Sequence, residues 1–475
     1  MSIEERADLL IEARWLLPIA PANTALAQHA VAVTAGRIVA VGPAAQLRER
    51  FETGERVVRE RHALLPGLVN AHTRAWHTLL RGLPVRGPRW RWLSEIMGPV
   101  EQRCLSADLV RDGTRLGVAE MLRAGITCFA DLSLFPEEAA RAAAAAHMRA
   151  AIGLPVADAP TPWAESATAH LARAARVWDE YASDARISLY FAPLAVHGMS
   201  EALLARVRRV ADELDARVAV HLAELAGAAQ SADGAQLTAR ALEGEGVQDS
   251  ARAPRSERPL RQLHALGLLR PGFSAIGAGS CDGADLELLA RHGAGLIACP
   301  QAELRLGARS PVAALEGNRT GLGTDSPVAA GALDLLAEAR AAALHSGLTA
   351  GEVLRMATLG GATVLGLSAQ IGSIEPGKAA DLTCIDLGAL SGEPAAAIQD
   401  AITFAATRSQ VSDVWTAGRL AVSGARLVAF ELAAYPPSNP PATRVSLAPP
   451  YAAQPLSELS KLGLATRLFG AWITK

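Results

Sequence analysis

Three residues of this chain have the types and the positions to hold a metal ion: His72, His221 and Asp325. Each ends a short apolar or β-rich run, in "GLVNAH", "RVAVH" and "RTGLGTD". Two neutral imidazoles and a carboxylate suit zinc, or iron and related divalent ions. A catalytic zinc takes three protein ligands and keeps one position open for water, and this set supplies that number. Glu224, shortly after His221, stands where a proton shuttle belongs, taking a proton from bound water and passing it to a leaving nitrogen. Taken singly, these residues have plainer readings. A histidine after a strand is most often a satisfied core or loop residue, and Asp325 in "GTDSP" suits the capping of a turn or helix equally well. What points to chemistry is that all three fall at strand ends.

The stretch "LLPGLVNAHTRAWHTLLRG", Leu64 to Gly82, adds a complication. Residues i and i+2 of a strand face the same side, so imidazoles at positions 72 and 74 would form a pincer for one ion. The chain has Arg74 instead. A guanidinium keeps its proton and has no lone pair for a metal. Two unit charges about 4 Å apart repel by roughly 4 kcal/mol at an effective dielectric near 20, on the order of a thousandfold in affinity. A side chain turned to solvent escapes that cost. The expectation is that the Arg74 guanidinium replaces the metal, pairing with Asp325 and Glu224.

The elements that must position these residues read as follows. Half of the 475 residues are apolar, enough for one large domain and a smaller one. Residues 1 to about 62 read as short strands with tight turns, including a hairpin around Ala35-Gly36 in "HAVAVTAGRIVAVG". The segments "IGSIEPGKAADLTCIDL" and "VSDVWTAGRLAVSGARLV" repeat that style, and the two ends are expected to share one small β-domain. Between them "GITCFADL", "ISLYFAPL", "RVAVHLAE", "FSAIGAG", "AGLIACP" and "RTGLGTD" read as buried strands. They alternate with helices expected at 107–123, 137–151, 165–181, 201–214 and 333–345. Such alternation, repeated about eight times, fits a (β/α)8 barrel with its functional residues at the C-terminal strand ends. Residues 227–259 read as an excursion over the barrel mouth. The Pro-rich stretch at 433–457 reads as a linker, and the leucines after it as a helical stripe packed on the chain's own surface.

Bulk properties narrow the partners. A net charge of −2 gives no basic excess for nucleic acid or an anionic membrane. The arginine runs "RGPRWRW" and "ARAPRSERP" read as solvated faces or loops. Five scattered cysteines without a CxxC spacing suggest reduced thiols and a cytoplasmic protein. The acidic start "MSIEERADLL" does not read as a signal peptide, and no apolar run reaches the length of a membrane span.

At the residues singled out above, the chain resembles the amidohydrolase superfamily. It looks closest to the cytosine-deaminase-like, TRZ/ATZ branch, which includes methylthioadenosine and S-adenosylhomocysteine deaminases. The resemblance rests on "LLPGLVNAHTRAWHTLLRGL", "AGITCFADL", "VHLAE", "LIACPQAELRLG", "GLGTD", "LRMATLGGATVLGL" and "IGSIEPGKAADL" and runs to about residue 430. It implies a (β/α)8 barrel at 63–370 and a small β-sandwich made from 1–62 and 371–430, with 431–475 as linker and tail. It implies a His-x-His metal motif, in which His72 matches and Arg74 does not. His221 matches the next metal histidine, Glu224 the catalytic glutamate and Asp325 the strand-eight aspartate. The family's water-orienting histidine aligns with Gly277, and a ring-contacting histidine aligns with Leu194. Glu101 in "GPVEQR" matches a glutamate that holds ribose hydroxyls, though a surface helix glutamate reads the same way. His77, His197, Cys281 and Cys299 are the neighbours that a shifted loop would have to bring inward in compensation.

The resemblance implies a hydrolase acting on non-peptide C–N bonds, deaminating a purine, pyrimidine or triazine ring with zinc or iron. Its partner would be a small nucleobase- or nucleoside-like molecule, and homo-oligomers are common in the family. Arg74, Gly277 and Leu194 point instead to weakened or altered activity, or to a silent homologue that binds a ligand or serves as a partner subunit. A metal-independent hydrolase using Glu224 or Asp325 with water is the third reading.

Overall fold

Chain ends and middle build two separate sheets, as the two styles of sequence require. The computed structural model describes residues 5–194, 196, 199–222, 259–277, 279, 281–308, 312 and 319–428. The N-terminal segment supplies β1 (Glu5–Leu16), β2 (Leu26–Thr34), β3 (Arg37–Pro43) and β4 (Phe51–Pro66). Ala35 and Gly36 turn between β2 and β3 with φ of 50° and 73°, the left-handed pair that matches strand twist in a two-residue hairpin.

The middle of the chain supplies β5 (Leu68–Thr73), β6 (Ile126–Asp131), β7 (Arg149–Val156) and β8 (Ile187–Pro193). It continues with β9 (Arg217–His221), β10 (Phe273–Ile276), β11 (Gly295–Ala298) and β12 (Thr320–Leu322). All neighbours in this sheet are parallel and consecutive. The C-terminal part then gives β13 (Leu382–Asp386), β14 (Val411–Thr416), β15 (Arg419–Ser423) and β16 (Arg426–Leu427). β13 lies antiparallel on β4, so the two chain ends form one mixed eight-stranded sheet, ordered β16-β15-β14-β13-β4-β1-β2-β3. The (β/α)8 barrel with a small terminal β-domain is therefore the fold. The "IGSIEPGKAADLTCIDL" stretch contributes a single strand, β13, rather than a pair.

Gly67 joins β4 to β5, and a Cβ there would lie 2.0 Å from Thr127 Oγ1, so only glycine lets the chain pass from one sheet into the other. The barrel closes between β5 and β12 through a parallel bridge from Thr73 to Asp325. Asn70, fully buried, stitches this seam: its Nδ2 donates to Thr324 Oγ1 at 2.9 Å and its Oδ1 accepts from the Thr324 N–H at 3.1 Å. Asn70→Ala removes both bonds and leaves the Thr324 amide without this acceptor. We expect a loss of about 2–3 kcal/mol, measured by urea unfolding.

One helix differs from expectation. The 137–151 stretch is helical only as Pro136–Ala145, and β7 starts at Arg149. Alanine's helix propensity hides the boundary in "AAAAAHMRAA". His147, with φ of 53°, ends the helix, and pairing with β6 and β8 makes Ala150 and Ala151 strand. Inside the barrel Val69, Ala130, Tyr190, Ile276 and Ile297 fill the core, while a larger apolar cluster lies between barrel and helices. Residues 223–258 and 429–475, which carry the expected mouth excursion and tail, lie outside the described residues.

Candidate functional site

His72, His221 and Asp325 meet at the C-terminal mouth of the barrel. His72 sits near the end of β5, His221 ends β9, and Asp325 follows β12. The Thr324 and Asp325 amides both donate to the His72 carbonyl, at 2.9 and 3.0 Å. Gly323 lets the two chains approach, since a Cβ there would lie 2.7 Å from that same carbonyl oxygen. Asp325 itself has φ of 49°, a left-handed conformation that aspartate tolerates better than most residues. His72 Nε2 lies 3.2 Å from His221 Nε2 and 3.5 Å from Asp325 Oδ1. The three donor atoms lie within 4.8 Å of one another and form a candidate metal site.

A fourth side chain enters it. Arg89, 5% exposed, donates from Nη1 to Asp325 Oδ2 at 2.7 Å, and its Nη2 lies 3.4 Å from His221 Nε2. The segment that delivers it is pinned to the barrel mouth. Trp92 is buried with Met97, Cys299, Leu306 and Val328, and its indole N–H donates to the Pro84 carbonyl at 3.1 Å. The reading of "RGPRWRW" as a solvated run is thus corrected at Arg89. Nothing in the local sequence singles it out: Arg89 precedes Trp90 and Trp92, both buried, yet Arg91, which stands between those tryptophans, has a side chain 42% exposed.

Arg74, expected to be the principal partner of Asp325, is the more distant one. Its Nε lies 3.8 Å from Asp325 Oδ1, and its side chain is 16% exposed. Burial pushes the Asp325 carboxyl up, but the Arg89 charge and the His72 hydrogen bond outweigh it and hold it well below the usual range. Burial lowers both imidazoles, and the charge of Arg89 lowers His221 further. Asp131, at the end of β6, is pushed up to about 6 by burial, against hydrogen bonds from Ser133 and the Ala75 amide.

The donors alone have the spacing for one divalent ion, but their surroundings do not fit it. Arg89 aims N–H groups at two of the three donor residues, and Arg74 adds a second fixed cation nearby. Among the described residues, the donor set's one carboxylate and two neutral rings face two guanidiniums before any divalent charge is added.

The other expected residues fall as follows. Gly277 has φ of 62°, and a Cβ there would point between His221 and Glu303, 3.4–3.5 Å from their nearest atoms. A side chain at this position would therefore face the site. Leu194 follows β8 and packs on the barrel interior. Glu101 is tied rather than free on a surface: His77 Nε2 lies 3.2 Å from its Oε1, and the Ser326 hydroxyl meets His77 Nδ1 at 2.8 Å. His77 thus ends in a polar relay beside Asp325, not as a ligand. Cys299 is buried and its thiol raised well above its usual range by burial. Cys281 is half-buried and raised to about 12, again by burial. Glu224 and His197 lie outside the described residues.

Comparison with known proteins places this geometry among relatives. The model of the amidohydrolase family matches residues 63–421, and a short imidazolonepropionase-like composite domain model, bacterial, matches 30–51. A 5-methylthioadenosine/S-adenosylhomocysteine deaminase of Teredinibacter turnerae is 35% identical over 86% of this chain and 91% of its own. A crystal structure of an adenosine deaminase from Xanthomonas campestris with bound zinc is 38% identical, with a TM-score of 0.81. It covers 89% of this chain and 95% of that one. An atrazine chlorohydrolase from Arthrobacter aurescens complexed with zinc shares the fold, at 21% identity and a TM-score of 0.74, over 88% of this chain and 96% of that one.

Proposed function

The chain belongs to the amidohydrolase family, and from that premise we propose that it is a deaminase-type member directed at an amino-bearing nucleoside or purine ring, with its hydrolytic step weakened by the arginines in its site. The observation that carries this reading is the gathering of His72, His221 and Asp325 at the C-terminal strand ends, where barrels of this kind place their chemistry. The ring class comes from relatives at 35% and 38% identity, named as deaminases of adenosine-type nucleosides.

In this reading the ring enters the mouth beside Leu194. Glu101 is offered to sugar hydroxyls, with His77 fixing one of its oxygens. Glu224 carries the proton to the leaving nitrogen. Zinc, which would supply a water nucleophile in such a site, would have to displace Arg89 from Asp325 and His221 to bind His72, His221 and Asp325, and in this reading that displacement is what makes the hydrolytic step slow. Gly277 offers no side chain to orient water. The five free cysteines support a cytoplasmic location, and among the described residues no helix is long and apolar enough to cross a membrane.

A second reading is favoured by the 2.7 Å bond between Arg89 and Asp325: a silent homologue that binds the same ring class or partners an active relative. Calorimetry with adenosine, methylthioadenosine and guanine, run beside an ammonia assay, separates the two. Saturable binding with slow ammonia release is the expected result. Binding without ammonia supports the silent homologue. If none of these rings bound, both readings would fail.

A further inference from the structure

A single side chain from outside the barrel bridges the carboxylate after β12 and the imidazole that ends β9. We propose that the Arg89 guanidinium is the resident cation of this site, standing in place of a divalent ion among His72, His221 and Asp325 and holding the barrel mouth together without one. The proposal rests on the reading of this site as that of a deaminase-type amidohydrolase, but its test needs no substrate, so a failure of ring binding leaves it standing.

Three observations carry it. The first is position. Arg89 reaches Asp325 at 2.7 Å and His221 at 3.4 Å, so it lies at the donors themselves and not at the rim. The second is proton placement. With an Arg89 N–H aimed at it, His221 Nε2 is the acceptor, and the 3.2 Å gap to His72 Nε2 then assigns the hydrogen to His72. His72 Nε2 faces Asp325 Oδ1 at 3.5 Å as well, which suits a donor. A divalent ion needs both Nε2 atoms bare, so this pattern and a bound ion exclude each other. The third is anchoring. Trp92 seats the segment in an apolar cluster at the mouth. Gly87, shortly before the helical turn Arg89–Trp92, would place a Cβ 2.9 Å from the Leu306 carbonyl oxygen, so the backbone leading to Arg89 lies directly against its neighbour. Arg89 is thus delivered by a packed segment.

The test uses the full chain, stripped with chelator and titrated with zinc, the metal counted by elemental analysis. Wild type is expected to hold well below one equivalent. Arg74→His alone, which restores an imidazole but keeps Arg89, is expected to stay equally low. Arg74→His combined with Arg89→Leu is expected to take one zinc, on the order of a thousandfold more tightly than Arg74→His alone. Stoichiometric zinc in wild type, or in Arg74→His at the affinity of the double variant, overturns the proposal. So does a folded double variant that takes up none. Should the double variant not fold, histidine-selective nitrogen NMR of wild type decides. A proton on His72 Nε2 that persists with equimolar zinc agrees with a resident arginine, and loss of that proton on zinc addition contradicts it.

Discussion

Arg89→Ala is expected to cost about 3–5 kcal/mol of stability, the usual range for breaking a buried ion pair by removing one partner. Asp325 is fully buried, and among the described residues its carboxylate keeps in the variant only the His72 contact and the more distant Arg74. Loss of the Asp325 contact in Arg74→Ala is expected to cost much less, about 1 kcal/mol, because its Nε stands 3.8 Å away and its side chain is partly exposed. Urea unfolding of the two variants at neutral pH checks the order. Equal losses, or a larger loss at Arg74, would mean that the cation at Asp325 is not Arg89. The Arg89→Ala penalty also shrinks as pH falls. With the guanidinium gone, its lowering effect on His221 goes too. The variant's fold then takes up a proton more readily than the wild-type fold, and it regains stability relative to wild type only as pH falls through the variant's own His221 value, which burial still holds below the ordinary histidine range.

Asp325→Asn carries the second large effect, again about 3–5 kcal/mol, because it removes the buried carboxylate charge that Arg89 Nη1 meets at 2.7 Å. Adding Arg89→Ala to it is expected to cost little more, so the double-mutant cycle returns a coupling close to the Arg89→Ala loss itself, about 3–5 kcal/mol. Additive losses would show that the two side chains do not act as a pair. The pH sign follows from the carboxylate. Asp325 is held below its usual range in the fold, so its contribution is present above the unfolded value of about 3.9 and is lost as pH falls through the folded one. The difference between wild type and Asp325→Asn therefore holds from neutral pH down to about 4 and narrows below that.

How far the sequence reaches is visible in these same residues. The convergence of His72, His221 and Asp325 was legible because each lies at or just beyond a strand end, and strand ends of a parallel barrel converge by topology. Arg74 drew attention because it breaks a two-residue spacing expected within one strand, a local pattern, although β5 ends at Thr73 and Arg74 lies just beyond it. Arg89 was missed because it reaches the site from a separate segment whose path is set by tertiary packing of Trp92 and by contact at Gly87. The same division holds for the fold. The hairpin at Ala35-Gly36 and helix Ala107–Arg123 carry their own signals, whereas β7 follows an alanine-rich run whose propensity is helical and becomes strand through its neighbours. The tie between His77, Ser326 and Glu101 was likewise out of reach, since it joins three distant parts of the chain.

The most direct measurement is a crystal structure of the full chain grown with zinc, with anomalous data collected at the zinc edge. The expected result is density for the Arg89 guanidinium against Asp325 and His221 and no anomalous peak among them. An anomalous peak bound by His72, His221 and Asp325, with Arg89 turned away, would contradict it and return the site to a metal-dependent deaminase.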